Sequence, residues 1–307
     1  MTDKQLKWAE KPLDVFYPSK QTQCTKPFSQ FLRDYHSHLD LFFFVVQLVT
    51  HADHSRVKAS KVLAPLETRS EERARLEASA ADPNVTLRVL QKHSGVLSRN
   101  LTNGMVNAFQ RYFSAIVQAV AEKRPVVMTS GQTVKVDDVL RFTRHRDLVA
   151  FIIDRKINDL SYGGLAEMEK YFNERLGVQM FQSERERDVM RVFIEARNIN
   201  AHNGGVVNEL FLSRVGKVKG FKFTEGKPFH VDMDALVELS ENAMRVAMEI
   251  DATVSAKFGL RRKAHGRWLD GTREAGQQTS VAEAVASRPP QAPSSPSPGP
   301  APHSPVG

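Results

Sequence analysis

Between Phe28 and Val49, apolar side chains recur at three- and four-residue steps: Phe28, Phe31, Leu32, Tyr35, Leu39, Phe42, Phe43, Val46 and Val49. At 100° per residue these positions share one side of an α-helix, whereas a half-buried strand would alternate. Pro27 suits a first helical turn, so the pattern predicts a helix from about Pro27 to Lys61. The same period returns in Asn84 to Ser98, in Leu101 to Lys123 (Met105, Phe109, Tyr112, Phe113, Ile116, Val120) and in Arg144 to Leu160 (Leu148, Phe151, Ile152, Ile157). It returns again in Leu165 to Leu176 (Met168, Tyr171, Phe172), in Ser183 to Asn203 (Val189, Val192, Phe193, Ala196) and in Val231 to Phe258 (Leu236, Leu239, Ala243, Ala247, Ile250, Val254, Phe258). The expected fold class is all-α.

The interruptions mark the organisation. Residues 1–26 are polar, with Pro12 and Pro18, and predict an irregular lead-in. Thr68 to Ala81 is charged and alanine-rich, a solvated helix or arm ended by Asp82-Pro83. Val126 to Val136 alternates around Thr129-Ser-Gly131 and predicts a small hairpin, followed by a helical turn from Asp137 to Phe142. Ser161-Tyr162-Gly163-Gly164 reads as an interhelical turn, and Val206 to Val215 and Phe221 to Phe229 as loops or short strands. Residues 289–307 contain eight prolines in nineteen residues, which predicts a disordered, extended tail. The expectation is one helical domain over 27–260, preceded by the irregular segment and followed by a basic, then Pro/Ser-rich tail over 261–307.

Composition narrows the function. A single cysteine, Cys24, excludes an intramolecular disulfide framework and suits a reducing cytosol. The polar start Met1-Thr-Asp-Lys shows no signal peptide, and the longest apolar stretch, Leu39 to Val49, is interrupted by Asp40 and too short to span a bilayer. A cytoplasmic protein without membrane association is expected. Forty-three Lys and Arg against 35 Asp and Glu give a net charge of +8, which favours polyanionic partners. Half of that excess lies between Ser255 and Ala275, where six basic residues face two acidic ones. Arg261, Arg262 and Lys263 could there track a phosphate backbone, with Trp268 stacking on a base; the competing reading is a solvated basic helix end.

The stretch Glu195-Ala-Arg-Asn-Ile-Asn-Ala-His-Asn-Gly-Gly-Val-Val-Asn208 ends an amphipathic helix with an arginine, an imidazole and two glycines. Asn198 and His202 are four apart and share a side; Arg197 and His202 are about 140° apart on an unbroken helix. Gly204 and Gly205 accept the left-handed conformation that ends helices, which presents the imidazole near solvent. Cations at a helix C-terminus also cap its carbonyls, and that is the plain alternative.

Arg197-Asn198-Ile-Asn-Ala-His202 resembles the arginine-polar-x-x-x-histidine signature of the HEPN superfamily. The order of elements is also similar to that of full-length bacterial HEPN proteins: long helices, a short hairpin, Asn158-Asp-Leu-Ser-Tyr162, Met168-Glu-Lys-Tyr-Phe172, then Glu195 and the motif with its glycines. The resemblance covers about residues 27–258. It implies an up-and-down helical bundle that dimerises with two motif helices facing each other, and a metal-independent endoribonuclease acting in bacterial stress or phage defence. Arg197 and His202 would be catalytic with Asn198 beside them, and Glu195 and Asn203 would support them. RNA is the implied substrate, a second copy the implied partner, and an antitoxin or other protein a further partner; no cofactor is implied. Noncatalytic relatives bind nucleotide or RNA through the same residues, and a helical interaction module with a docking tail is the third reading. Asn200 is polar at a position where relatives often have an apolar residue.

The chemistry suits the residue types. Histidine can act as base or acid near neutrality, and arginine stays protonated and donates in pairs to phosphoryl oxygens. One imidazole cannot easily play both proton roles, and a two-fold dimer would supply the second. Other candidates are weaker. His36, His38 and Asp40 splay around a helix; His51 and His54, with Asp53 between them, are three apart but lack a further ligand for zinc. No metal site is expected.

Overall fold

The computed structural model describes residues 16–128, 136–162, 164–229 and 233–270. The fold is all-α, with one two-residue antiparallel strand pair among the described residues. The first compact unit runs to His265; the second, from Gly266, is described only over 266–270, which is helical. No helix among the described residues is long and apolar enough to cross a membrane.

Strand β1 (Gln23–Cys24) leads into α1 (Lys26–Leu63), whose N-cap Thr25 accepts a hydrogen bond from the Phe28 backbone N–H. A short 3-10 turn precedes α2 (Ser70–Ala81), which buries no residue, as its charge pattern predicts. Helices α3 (Val85–Lys92) and α4 (Ser94–Lys123) meet at His93 rather than at Ser98. Helix α4 is the central rod. Thirteen of its residues, from Ser98 to Ala121, are buried, because α1, α6, α8 and α10 all pack around it.

The remaining helices are α5 (Val136–Leu140), α6 (His145–Tyr162), α7 (Gly164–Tyr171, continued by a π turn to Leu176), α8 (Glu184–His202), α9 (Glu209–Val215) and α10 (Met233–Phe258). Strand β2 (Lys263–Ala264) returns to pair with β1.

Several expectations change. The flanks of the expected hairpin are helical, Pro125–Met128 as a 3-10 turn and Val136 as the start of α5, while its centre lies outside the described residues. The expected loop or strand after the glycines is helix α9, capped by the Asn208 side chain accepting from the Phe211 N–H. Only an isolated bridge between Val206 and Pro228 has strand character. Of the expected irregular lead-in, residues 1–15 lie outside the described residues, and within 16–26 Gln23 and Cys24 form β1. The Pro-rich segment of the tail lies outside the described residues.

The β1–β2 pair forms a clasp that is held by buried polar groups. Asp251 of α10 is 1% exposed and accepts from the Thr25 N–H at 3.1 Å and from the Thr25 hydroxyl. His265, 3% exposed, places Nδ1 2.8 Å from Ser29 Oγ, and its backbone N–H donates to Thr22 O. Burial pushes the Asp251 carboxyl up, against its bonds to Thr25, and pushes His265 down.

Candidate functional site

Helix α8 starts where Ser183 accepts from the Glu186 N–H, a capping interaction that satisfies an otherwise unpaired donor. Its middle is buried nearly all round, from Val189 to Ala196, so the helix is fixed against α4 and α10 before the motif begins. Burial then fades. Arg197, Asn198 and Asn200 are half-buried, and Ala201, His202 and Asn203 are exposed. His202 is the last residue of α8 and stands at the edge of solvent.

Arg197 Nη1 donates to Asn198 Oδ1 at 3.5 Å, a long contact that leaves most of the guanidinium fork for another acceptor. Glu195 does not orient Arg197. Its side chain is largely buried and its carboxylate accepts from Arg214 of α9 at 3.3 Å. Two residues along a helix is a turn of about 200°, so Glu195 and Arg197 leave α8 on nearly opposite sides. Asn203 caps the helix and donates from Nδ2 to Val206 O at 2.7 Å, which closes the turn rather than facing a reacting group.

The turn itself needs its glycines. Gly204 and Gly205 have φ of 60° and 80°, and the Gly205 N–H donates to Ile199 O. A methyl group on Gly205 would stand 3.0 Å from Asn200 Oδ1 and 3.1 Å from Arg99 Cδ. Asn200 donates from Nδ2 to Asn103 Oδ1 of α4 at 3.1 Å, while its own buried Oδ1 has no hydrogen-bond partner. The polar residue at this motif position thus ties the end of α8 to the central rod.

Arg99 is the residue that sequence reasoning missed. It comes from α4, half-buried, and its Nη1 would lie 3.5 Å from a Gly205 methyl group, which brings a second guanidinium to the motif corner. Nothing in its local sequence marks it, because it sits where two helices were expected to meet.

The other candidates fall elsewhere. Asp53 is buried and caps α3 through the Thr86 and Leu87 N–H groups at 3.0 and 2.9 Å, with Arg56 beside it. Burial alone would raise its carboxyl, but these donors hold it below the ordinary range. His51 and His54 point to solvent instead. His36 stacks on Tyr17, whose hydroxyl donates to Asp40, and His38 packs its ring against Gly104. Among the described residues, no group of three or more His, Cys, Asp or Glu is placed to hold a metal ion.

In the basic segment, Arg262 donates to Gln23 O and Lys263 lies in β2, so both take part in the clasp; Arg261 is exposed, and Trp268 belongs to the second unit. An open groove of about 540 Å³, lined among others by Gln30, Asn107, Gln110, Arg111, Ser114 and Gln118, includes no motif residue.

The chain was compared with protein-family models, curated proteins and solved structures, and none of them matches it.

Proposed function

We propose that the chain is a metal-independent endoribonuclease of the HEPN type, acting in the cytoplasm of a bacterium in stress or phage defence. The observation that carries the reading is the exposed His202 at the end of α8 with Arg197 and Asn198 about one turn behind it. His202 would take the proton of an RNA 2′-hydroxyl as its oxygen attacks the adjacent phosphorus. The bond to the 5′-oxygen then breaks, and that oxygen is protonated by the His202 of a second copy. The products are a 2′,3′-cyclic phosphate and a free 5′-hydroxyl. Arg197 meets the charge that builds on the phosphoryl oxygens, and Arg99 adds positive potential to the same corner.

A second reading, a noncatalytic site for a nucleotide or RNA phosphate, is favoured by the donors at this corner. Arg99, Arg197 and Asn103 all supply N–H groups, while Glu195 leaves α8 on the other side and is held by Arg214.

The two readings separate when total RNA is incubated in EDTA with the wild-type, Arg197→Ala and His202→Ala proteins. The enzyme cuts only as wild type and leaves cyclic phosphate ends. The binder leaves RNA intact and loses affinity chiefly in Arg197→Ala.

A further inference from the structure

Helix α1 is apolar on two opposite sides. One side, with Phe28, Leu32, Tyr35, Leu39, Phe42 and Val46, is buried. The other is exposed: Leu41 is 62% exposed, Phe44 59%, Leu48 57% and Val62 59%. Ala52, Ser55 and Ala59 continue the same side, also exposed, so no charged residue interrupts it from Leu41 to Val62. At 1.5 Å per residue this stripe is about 33 Å long, and with a helix about 10 Å wide its footprint is roughly 330 Å². The largest apolar patch on a monomer is of about this size and is often functional, so what covers it is decided by complementarity rather than by area.

We propose that the stripe pairs with the same stripe of a second copy, antiparallel, about a two-fold axis at Ala52. Side-chain size supports this occupant. The first half of the stripe is bulky and the middle is small, so reversing one copy sets Phe44 over Ala59, Leu48 over Ser55 and Leu41 over Val62, with Ala52 within one residue of its own counterpart. Phe44 and Leu48 then fall into the gaps left by Ala59 and Ser55, the helices approach closely there, and Leu41 meets Val62 at each end. Charge supports the direction. Asp40 flanks one end of the stripe and Lys58 and Lys61 flank the other, all exposed. Antiparallel pairing brings Asp40 toward the lysines of the other copy, whereas parallel pairing opposes lysine to lysine.

This contact differs from the motif-to-motif pairing of the proposed function. The end of α8 is tied to Asn103, and the adjacent Gly104 packs on His38, which places the motif near residue 38 of α1. That level is 14 residues, or roughly 21 Å, from the axis, so the two motif corners lie at opposite ends of the α1 pair. A chain using both contacts assembles beyond a dimer.

Sedimentation of the full chain, with wild type beside Leu48→Glu and Ala52→Cys, tests the proposal. Leu48 is exposed, so its replacement leaves the helical circular dichroism unchanged. It is expected to lower the assembly by one level, dimer to monomer or tetramer to dimer, with association weaker on the order of a hundredfold because the change occurs twice across the axis. Cys24 is buried, so under mild oxidation Ala52→Cys is expected to give a disulfide-linked dimer, while Arg75→Cys on α2 stays uncrosslinked. A wild-type monomer, including one whose stripe is covered by another segment of its own chain, overturns the proposal. So does an oligomer that Leu48→Glu leaves intact and Ala52→Cys does not link. RNA cleavage, read separately, does not depend on this outcome.

Discussion

His265 is buried in the clasp with Nδ1 2.8 Å from Ser29 Oγ, whereas His202 ends α8 in solvent with no burial to hold it. Both corners carry an imidazole and a guanidinium, and their surroundings differ. In the clasp, carboxylate, hydroxyl and imidazole satisfy one another inside the protein, and their removal costs folding. At the motif corner, Arg197 keeps most of its donors, and Asn200 and the glycines do the structural work. Polar groups whose partners lie within the chain hold the fold; those facing solvent from a rigid base are available for a ligand.

The contrast breaks most visibly at Asp251. Asp251→Ala removes the acceptor of the Thr25 N–H and hydroxyl, and a buried unpaired donor costs heavily, so thermal or urea unfolding is expected to show a loss of about 2–4 kcal/mol. Gly205→Ala comes next. It forces a left-handed alanine against Asn200 and Arg99, and unfolding is expected to show a loss of about 1–2 kcal/mol.

A pH series sharpens the same comparison. Burial lowers the affinity of His265, His36 and His38 for a proton in the folded state. The unfolded chain therefore binds more protons as pH falls through the ordinary imidazole range, and stability drops there. His265→Gln is expected to flatten part of that slope in melting temperature against pH; an unchanged slope would assign it to the other histidines. The smallest effect on stability belongs to His202→Ala, within about 0.5 kcal/mol of wild type, because nothing of the core rests on it.

Much of this frame was legible before the structure. Helices α1, α4, α8 and α10 each show a long apolar stripe, and Ser183 and the paired glycines mark the ends of α8. What escaped has local causes. Helix α9 has seven residues, too few for a period, and only Asn208 announces it. The clasp joins two dipeptides some 240 residues apart in the chain, with no pattern of their own. Arg99 reaches the motif from a distant helix, and Glu195, which the resemblance makes a supporting residue, leaves α8 on the side away from Arg197 to meet Arg214. On α1, the stripe through Leu41, Phe44 and Leu48 is apolar like the buried one, and only exposure tells the two sides apart.

The most direct measurement is the rate of RNA cleavage in EDTA by His202→Ala against wild type, at matched folded fractions. If His202 carries the proton transfer, the variant melts with wild type and cuts no RNA. Equal cleavage by the two proteins would contradict it and return His202 to the role of a helix cap.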